Sequence, residues 1–142
     1  MFELNTKQKG NSTEVYCLAA FVSRGINVSI PYGDCARYDF VIDINNKLYR
    51  VQCKTSNETQ EGVYQFSCRS CKTRATGNLR RSYTDEEIDY FCTYIKDKCY
   101  LIPISEASTN SKTLRFVPTS NGQKVTYASE YELDKQLSKL VK

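Results

Sequence analysis

A chain of 142 residues with 40% hydrophobic and 25% charged residues has apolar content for one core and no need of a second, so a single domain over 1–142 is expected. Its formal net charge is only +4, and it contains no histidine, which excludes Ser-His and Cys-His nucleophiles and leaves carboxylates, lysine and a metal for any hydrolysis. No apolar stretch approaches bilayer length, and Met1 to Gln8 lack a signal core, so a soluble, cytoplasmic protein with no membrane partner is expected.

Thr6 to Arg24 carries Val15, Leu18, Ala19 and Val22 at helical spacing and stops at Gly25, which predicts one long amphipathic helix. Ile26 to Ile30 alternates and ends in the turn cluster Pro31-Tyr-Gly-Asp34, as a first strand does. Tyr38–Ile44 and Lys47–Thr55 are apolar runs joined by Asn45-Asn-Lys47, a link of hairpin length. Val63–Cys68 suggests a further strand. From Gly62 to Thr84 there is no acidic residue against Arg69, Lys72, Arg74, Arg80 and Arg81. Residues 66–83 therefore read as a basic loop suited to a phosphate backbone. Thr84 and Glu87 have capping-box spacing.

Ile88–Ile95 and Cys99–Ile104 flank Lys96-Asp-Lys98 and predict a second hairpin, with helix competing for the first arm. Thr113–Val117 and Lys124–Tyr127 predict a third around Asn121-Gly122. Ser129 and Glu132 are placed to cap a C-terminal helix over 129–141 with Leu133, Leu137, Leu140 and Val141 buried. The order of elements, without strict α/β alternation, argues for an α+β fold with a mixed sheet flanked by helices.

The seven cysteines are an odd number, and Cys17, Cys53 and Cys92 fall in apolar segments where a thiol acts as a small hydrophobe, so reduced cysteines are expected. Cys68-Arg-Ser-Cys71 is a lone C-x-x-C; zinc there would need two more thiolates, such as Cys35 or Cys99.

Strand alternation puts Gln52 and Lys54 on one face, beside the start of the strand that carries Asp39. An acid, an amide oxygen and an ammonium then converge, which is a metal-dependent nuclease site in outline. Asp34 is an alternative acid, but its Gly-containing turn favours a capping role. Asp43 shares the face of Asp39 about 13 Å further along at strand rise.

Pro31-Tyr-Gly-Asp34, Tyr38-Asp39, Val51-Gln-Cys-Lys54, Ile88-Asp-Tyr-Phe91 and Tyr100-Leu-Ile-Pro103 together resemble the PD-(D/E)XK nucleases associated with group I introns, homing endonucleases of cyanobacterial type. The resemblance implies a restriction-endonuclease-like core, sequence-specific cleavage of double-stranded DNA dependent on Mg²⁺ (with Mn²⁺ as a substitute), and homo-oligomeric assembly. It assigns the helix glutamate to Glu14, the metal-binding aspartate to Asp39, and the Gln-x-Lys pair to Gln52 and Lys54. Gln52 stands where the wider superfamily has an acid, a departure that lowers the negative charge of the site. Asp39 is then the hard anionic ligand, the backbone carbonyl of Cys53 a further one, and Glu14 a source of charge, possible through water. Lys54 would orient or deprotonate the attacking water.

A nuclease must hold a polyanion, so Arg69, Lys72, Arg74, Arg80, Arg81, Lys112, Arg115 and Lys124 are expected on DNA. Arg37 and Arg50 are either phosphate clamps or solvated, and Tyr83 is the tyrosine placed for base stacking. One active centre per chain makes one nick, so a homodimer is the minimum for cutting a duplex, and a larger homo-oligomer is open. The rival readings are a structure-specific nuclease such as a Holliday junction resolvase, and a catalytically degenerate DNA-binding protein.

Overall fold

The computed structural model describes residues 2–141, with backbone alone for Lys72, Thr73, Arg74 and Asn78. Helix α1 (Thr6–Val22) opens on Asn5, whose side chain accepts from the Gln8 backbone while the Gln8 side chain accepts from that of Asn5. This reciprocal cap satisfies two orphan donors. The helix stops ahead of Gly25, which takes a left-handed φ of 78° and needs no Cβ there. Its buried stripe is Thr13, Cys17 and Phe21, spaced by four. Val15 and Val22, expected within the apolar face, are 61% and 55% exposed, because the helix turns the Thr13-Cys17-Phe21 stripe toward the sheet and Phe21 fills the core there.

Strands β1 (Asn27–Ser29), β2 (Phe40–Ile44) and β3 (Lys47–Cys53) form an antiparallel meander. The β2–β3 turn is the pair Asn45-Asn46, both at positive φ, which asparagine tolerates and a tight two-residue hairpin requires. The chain then makes β4 (Asn57–Gln60), β5 (Val63–Ser67), β6 (Arg69–Arg74) and β7 (Gly77–Ser82) before β8 (Tyr90–Ile95). Strand β8 returns parallel to β3, with Val51, Gln52 and Cys53 opposite Tyr90, Phe91 and Cys92. Parallel neighbours need a long crossover, and here the crossover is itself β-structure. Strand β9 (Lys98–Pro103) pairs antiparallel with β8 through a Lys96-Asp97 turn. The five-stranded sheet therefore runs β1-β2-β3-β8-β9. Strand β10 (Ser111–Arg115) joins β5 and β4 in a second sheet ordered β10-β5-β4.

The hydrophobic core has two parts. Phe21, Phe40, Ile42, Val51, Cys92 and Leu101 pack with α1 and with α2 (Leu133–Ser138). Phe66, Phe91, Ile102, Leu114 and Tyr131 form the other part with the second sheet. Successive residues of β8 and β9 supply opposite parts, as strand alternation dictates. Both strands are buried along almost their whole length, which explains their continuous apolar runs. Phe91 is fully buried, with its ring centroid 5.4 Å from that of Phe66 and 5.5 Å from that of Tyr83. Phe91→Ala is expected to cost about 3–5 kcal/mol by emptying this contact. The shift of the urea midpoint measures it, and a loss below about 1 kcal/mol would contradict the packing described.

Three expectations change. The basic segment, read as a loop over 66–83, is mostly a two-stranded ribbon, β6 against β7, with Arg69 opposite Ser82 and Cys71 opposite Arg80. Cross-strand backbone bonds shape it, without an apolar alternation for the sequence to display. The hairpin of Thr113–Val117 with Lys124–Tyr127 does not form: β10 pairs instead with β5, which buries Leu114 and Phe66, and Tyr127 makes an isolated parallel bridge to Arg115. The Asn121-Gly122 turn is present, with Gly122 at φ 69°. The helix predicted over 129–141 divides into a 3-10 turn, Ala128–Tyr131, and α2. Glu132 interrupts it with extended backbone, bridging to Tyr100 of β9. Leu133 and Leu137 are buried as expected, but Val141 is 58% exposed.

Candidate active site

The site lies where β2 begins and β3 ends. Asp39 precedes β2 and extends the hairpin ladder, its backbone N donating to the Val51 carbonyl at 2.9 Å. Its Oδ2 accepts from the Cys53 backbone N at 2.8 Å. This bond fixes the carboxylate over the end of β3. Burial lifts the Asp39 carboxyl above the ordinary aspartate value, against the opposing effects of the Cys53 N–H and the Lys54 charge.

Gln52 is half-buried beside it, and its amide has two useful orientations. With nitrogen inward it donates to the Arg37 carbonyl at 2.8 Å and approaches Asp39 Oδ2 at 3.3 Å. With oxygen inward, three oxygens meet with no hydrogen between them, and the nitrogen faces the Cys53 carbonyl at 3.4 Å. The first arrangement satisfies its partners within the protein, whereas the second turns the amide oxygen toward Asp39, as a ligand shared with a cation would sit.

Lys54 continues the β3–β8 ladder, its backbone N donating to the Cys92 carbonyl at 2.9 Å. Its Nζ donates to the Arg69 carbonyl at 2.7 Å and lies 5.0 Å from the Tyr83 ring centroid. Burial pulls the ammonium below the ordinary lysine value, with Arg37 adding to the effect and Asp39 acting against it. Glu14 comes from α1. Burial, and then repulsion from Asp39, lift its carboxyl above the usual glutamate value. Its neighbour Thr13 meets Thr55 hydroxyl to hydroxyl at 3.0 Å, which ties this turn of the helix to the chain just past Lys54. Gln52 thus lies against Asp39, and Glu14 and Lys54 are near enough to feel its charge.

Asp39, Gln52, the Cys53 carbonyl and Glu14 offer oxygens only, the donor set a small hard divalent cation takes. Asp39, held above its normal value by burial, and Glu14, held there by burial and by repulsion from Asp39, both gain from such a charge. Asp34 stays outside the site: it is exposed and accepts from the adjacent Cys35 thiol at 3.8 Å.

The candidate DNA-contacting residues differ among themselves. Arg80 and Arg81 are exposed on the ribbon, and Arg81 pairs with Glu87. Arg69 lines a polar groove with Arg80, Asn57, Gln65 and Ser67. Lys112 instead turns inward, donating to the Glu106 carbonyl at 3.0 Å and the Tyr131 hydroxyl at 3.1 Å. Arg115 is half-buried at the Tyr127 bridge, and Lys124 is exposed. The side chains of Lys72 and Arg74 lie outside the described residues.

Arg37 and Arg50 are both held in ion pairs within the protein. Arg37 donates to Glu87 Oε1 at 2.7 Å and to the Ser82 carbonyl at 2.8 Å, and its guanidinium sits 4.0 Å from the Tyr83 ring centroid. It clamps the base of the ribbon. Tyr83 is accordingly held between Arg37 and Phe91 instead of standing ready for a base. Arg50 pairs with Asp89 at 3.1 Å and with the Asp85 carbonyl at 3.0 Å. The link from Arg37 to Glu87, Ser82 and Tyr83 is what sequence reasoning missed. Its one signal was Glu87, which also accepts from Thr84 N at 3.1 Å as the capping-box spacing predicted.

Across residues 4–134 the chain matches the family model described as PD-(D/E)XK endonuclease. The chain belongs to the PD-(D/E)XK endonuclease family. It is a DNA endonuclease with the family's α+β fold, and nucleases of this family typically use divalent metal ions. Among solved structures it is similar to a bacterial homing endonuclease, I-Ssp6803I, at 25% identity and a TM-score of 0.75, over 95% of this chain and 93% of that one. Comparison with curated proteins finds no match. Among the described residues of this PD-(D/E)XK endonuclease, no helix is long and apolar enough to cross a membrane.

Proposed function

We propose that this endonuclease is a homing-type enzyme: a homo-oligomer, at least a dimer, that cuts double-stranded DNA at a specific sequence with Mg²⁺, for which Mn²⁺ substitutes. The observation that carries the chemistry is the bond from Cys53 N to Asp39 Oδ2 at 2.8 Å, since it joins the acid to the Gln52-Cys53-Lys54 segment in one rigid corner. Asp39, Gln52, the Cys53 carbonyl and Glu14 are the residues that would hold the ion. When bound, Mg²⁺ neutralises charge that develops on the phosphate oxygens.

The remaining work falls to the chain. Lys54, shifted by burial toward its neutral form, orients the attacking water and takes up its proton as the new O–P bond forms and the bond to the 3′ oxygen breaks. The Arg69 carbonyl that accepts from Nζ holds the amine in line. Arg69, Arg80, Arg81 and Lys124, with Lys72 and Arg74 of the ribbon, are the contacts proposed for phosphates. Lys112 and Arg115 belong to this set less directly, since each is partly engaged within the protein. The homing reading draws on the likeness to I-Ssp6803I, itself described as a homing endonuclease.

The test is a panel of linear duplexes of random sequence and four-way junctions, with the mass in solution measured by light scattering. Cleavage confined to one linear sequence by a dimer or larger assembly is the expected result. Nicking of junctions regardless of sequence would overturn the homing reading in favour of a resolvase.

A further inference from the structure

Beneath the hydrolytic site, on the helix side of the sheet, the thiols of Cys17, Cys92 and Cys99 come together. All three are buried, and their Sγ atoms lie within 4.8 Å of one another. They arrive from α1, β8 and β9. Cys53, buried in the same core and directly opposite Cys92 in the parallel β3–β8 register, lies beside this triad, and a side-chain rotation toward it would bring the fourth thiol. We propose that these four cysteines form a tetrathiolate site for one Zn²⁺, a structural ion separate from the hydrolytic metal.

The geometry suits a metal. Sulfurs about 2.3 Å from a shared zinc are about 3.8 Å apart along the edges of a tetrahedron. The observed triad therefore needs only a small contraction. Four thiols with no histidine or carboxylate among them form a soft set, which selects zinc over magnesium, while an iron–sulfur cluster would hold its cysteines further apart around several irons. Each coordinating thiol gives up its proton to solvent as its sulfur–zinc bond forms, so binding releases protons and zinc affinity rises with pH. A route in also exists. A cleft lined by Arg24, Asp97, Lys98, Cys99, Glu132 and Asp134 reaches the cluster at Cys99, and its carboxylates offer a cation a way in, Arg24 being paired with Asp134 at 2.7 Å. Such an ion would pin α1, the source of Glu14, to the two central strands.

The sequence pointed elsewhere. The Cys68-x-x-Cys71 pair has its first thiol buried and its second exposed, and Cys99, one of its suggested helpers, belongs to the core cluster instead.

The experiment measures zinc by elemental analysis in the full-length protein, produced with added zinc and desalted into metal-free buffer. We expect about one zinc per chain, retained in Asp39→Ala and in the Cys35→Ser/Cys71→Ser double variant and reduced to background in Cys17→Ala. Refolding with Co²⁺ gives a readout that needs no variant to fold: the wild type should show thiolate charge-transfer absorption and the visible bands of a tetrahedral cobalt site. Wild-type protein that carries no zinc and shows no cobalt–thiolate spectrum would overturn the proposal. So would zinc that is lost from the Asp39→Ala or Cys35→Ser/Cys71→Ser variants but kept in Cys17→Ala.

Discussion

Lys54→Ala is expected to lower the rate of DNA cleavage by about 10²–10⁴-fold, the range for loss of a positioned acid–base group, while DNA affinity stays within a few-fold of wild type. Both halves follow from the surroundings of the amine. Burial lowers the affinity of Lys54 for its proton, which helps a proton transfer, and one side chain among many basic residues adds little to phosphate attraction. The Nζ is also directed by the Arg69 carbonyl at 2.7 Å, so it acts from a fixed position. Lys54→Arg should not rescue the rate, because guanidinium stays charged and its fork does not fit one carbonyl acceptor. Single-turnover cleavage and a binding titration in Ca²⁺ separate the two quantities. A Lys54→Ala enzyme with a near wild-type rate would remove the lysine from the chemistry.

The second prediction divides activity from stability at Asp39. Both Asp39→Ala and Asp39→Asn should lose about 4 kcal/mol of transition-state stabilisation, roughly 10³-fold in rate, with the metal they no longer hold. Their stabilities should diverge. Alanine leaves the Cys53 N–H without its acceptor, at a cost of about 1–3 kcal/mol, whereas asparagine keeps an oxygen there. Asparagine also removes an ionised carboxyl that burial disfavours. The folded-state value of Asp39 lies above its unfolded value, so the protonated form is bound more tightly by the folded protein. Stability from that proton is fully present below the ordinary aspartate range and is lost as pH rises through the folded value. In EDTA, Asp39→Asn should therefore melt at or above wild type at neutral pH, and the difference should shrink as pH falls toward and below the normal aspartate value. Thermal melts across that window check the sign. An Asp39→Asn protein that melts lower at pH 7 and recovers at acid pH would reverse it.

How far the sequence could be read depends on which interactions were local. The β2–β3 hairpin was legible because Asn45-Asn46 supplies the positive-φ turn and the flanking strands alternate; with that register known, Asp39, Gln52 and Lys54 had to meet. Glu14 came from the family resemblance, and its approach depends on the non-local Thr13–Thr55 contact. Three features were hidden for physical reasons. The basic ribbon carries its information in backbone pairing. Strand β10 takes β5 as its partner, 46 residues away at Gln65 and Ser111, where a nearby turn signal suggested a local hairpin. Arg37 looks like any surface arginine until the fold brings Glu87, Ser82 and Tyr83 to it.

The most direct test of the central claim is cleavage of a randomised plasmid library by purified wild-type protein and Lys54→Ala, each in Mg²⁺ and in EDTA. The account predicts cuts at one sequence, present only with wild type and Mg²⁺. Cleavage that persists in EDTA or in Lys54→Ala, or the absence of cutting by wild type in Mg²⁺ or Mn²⁺ at low salt, would contradict it.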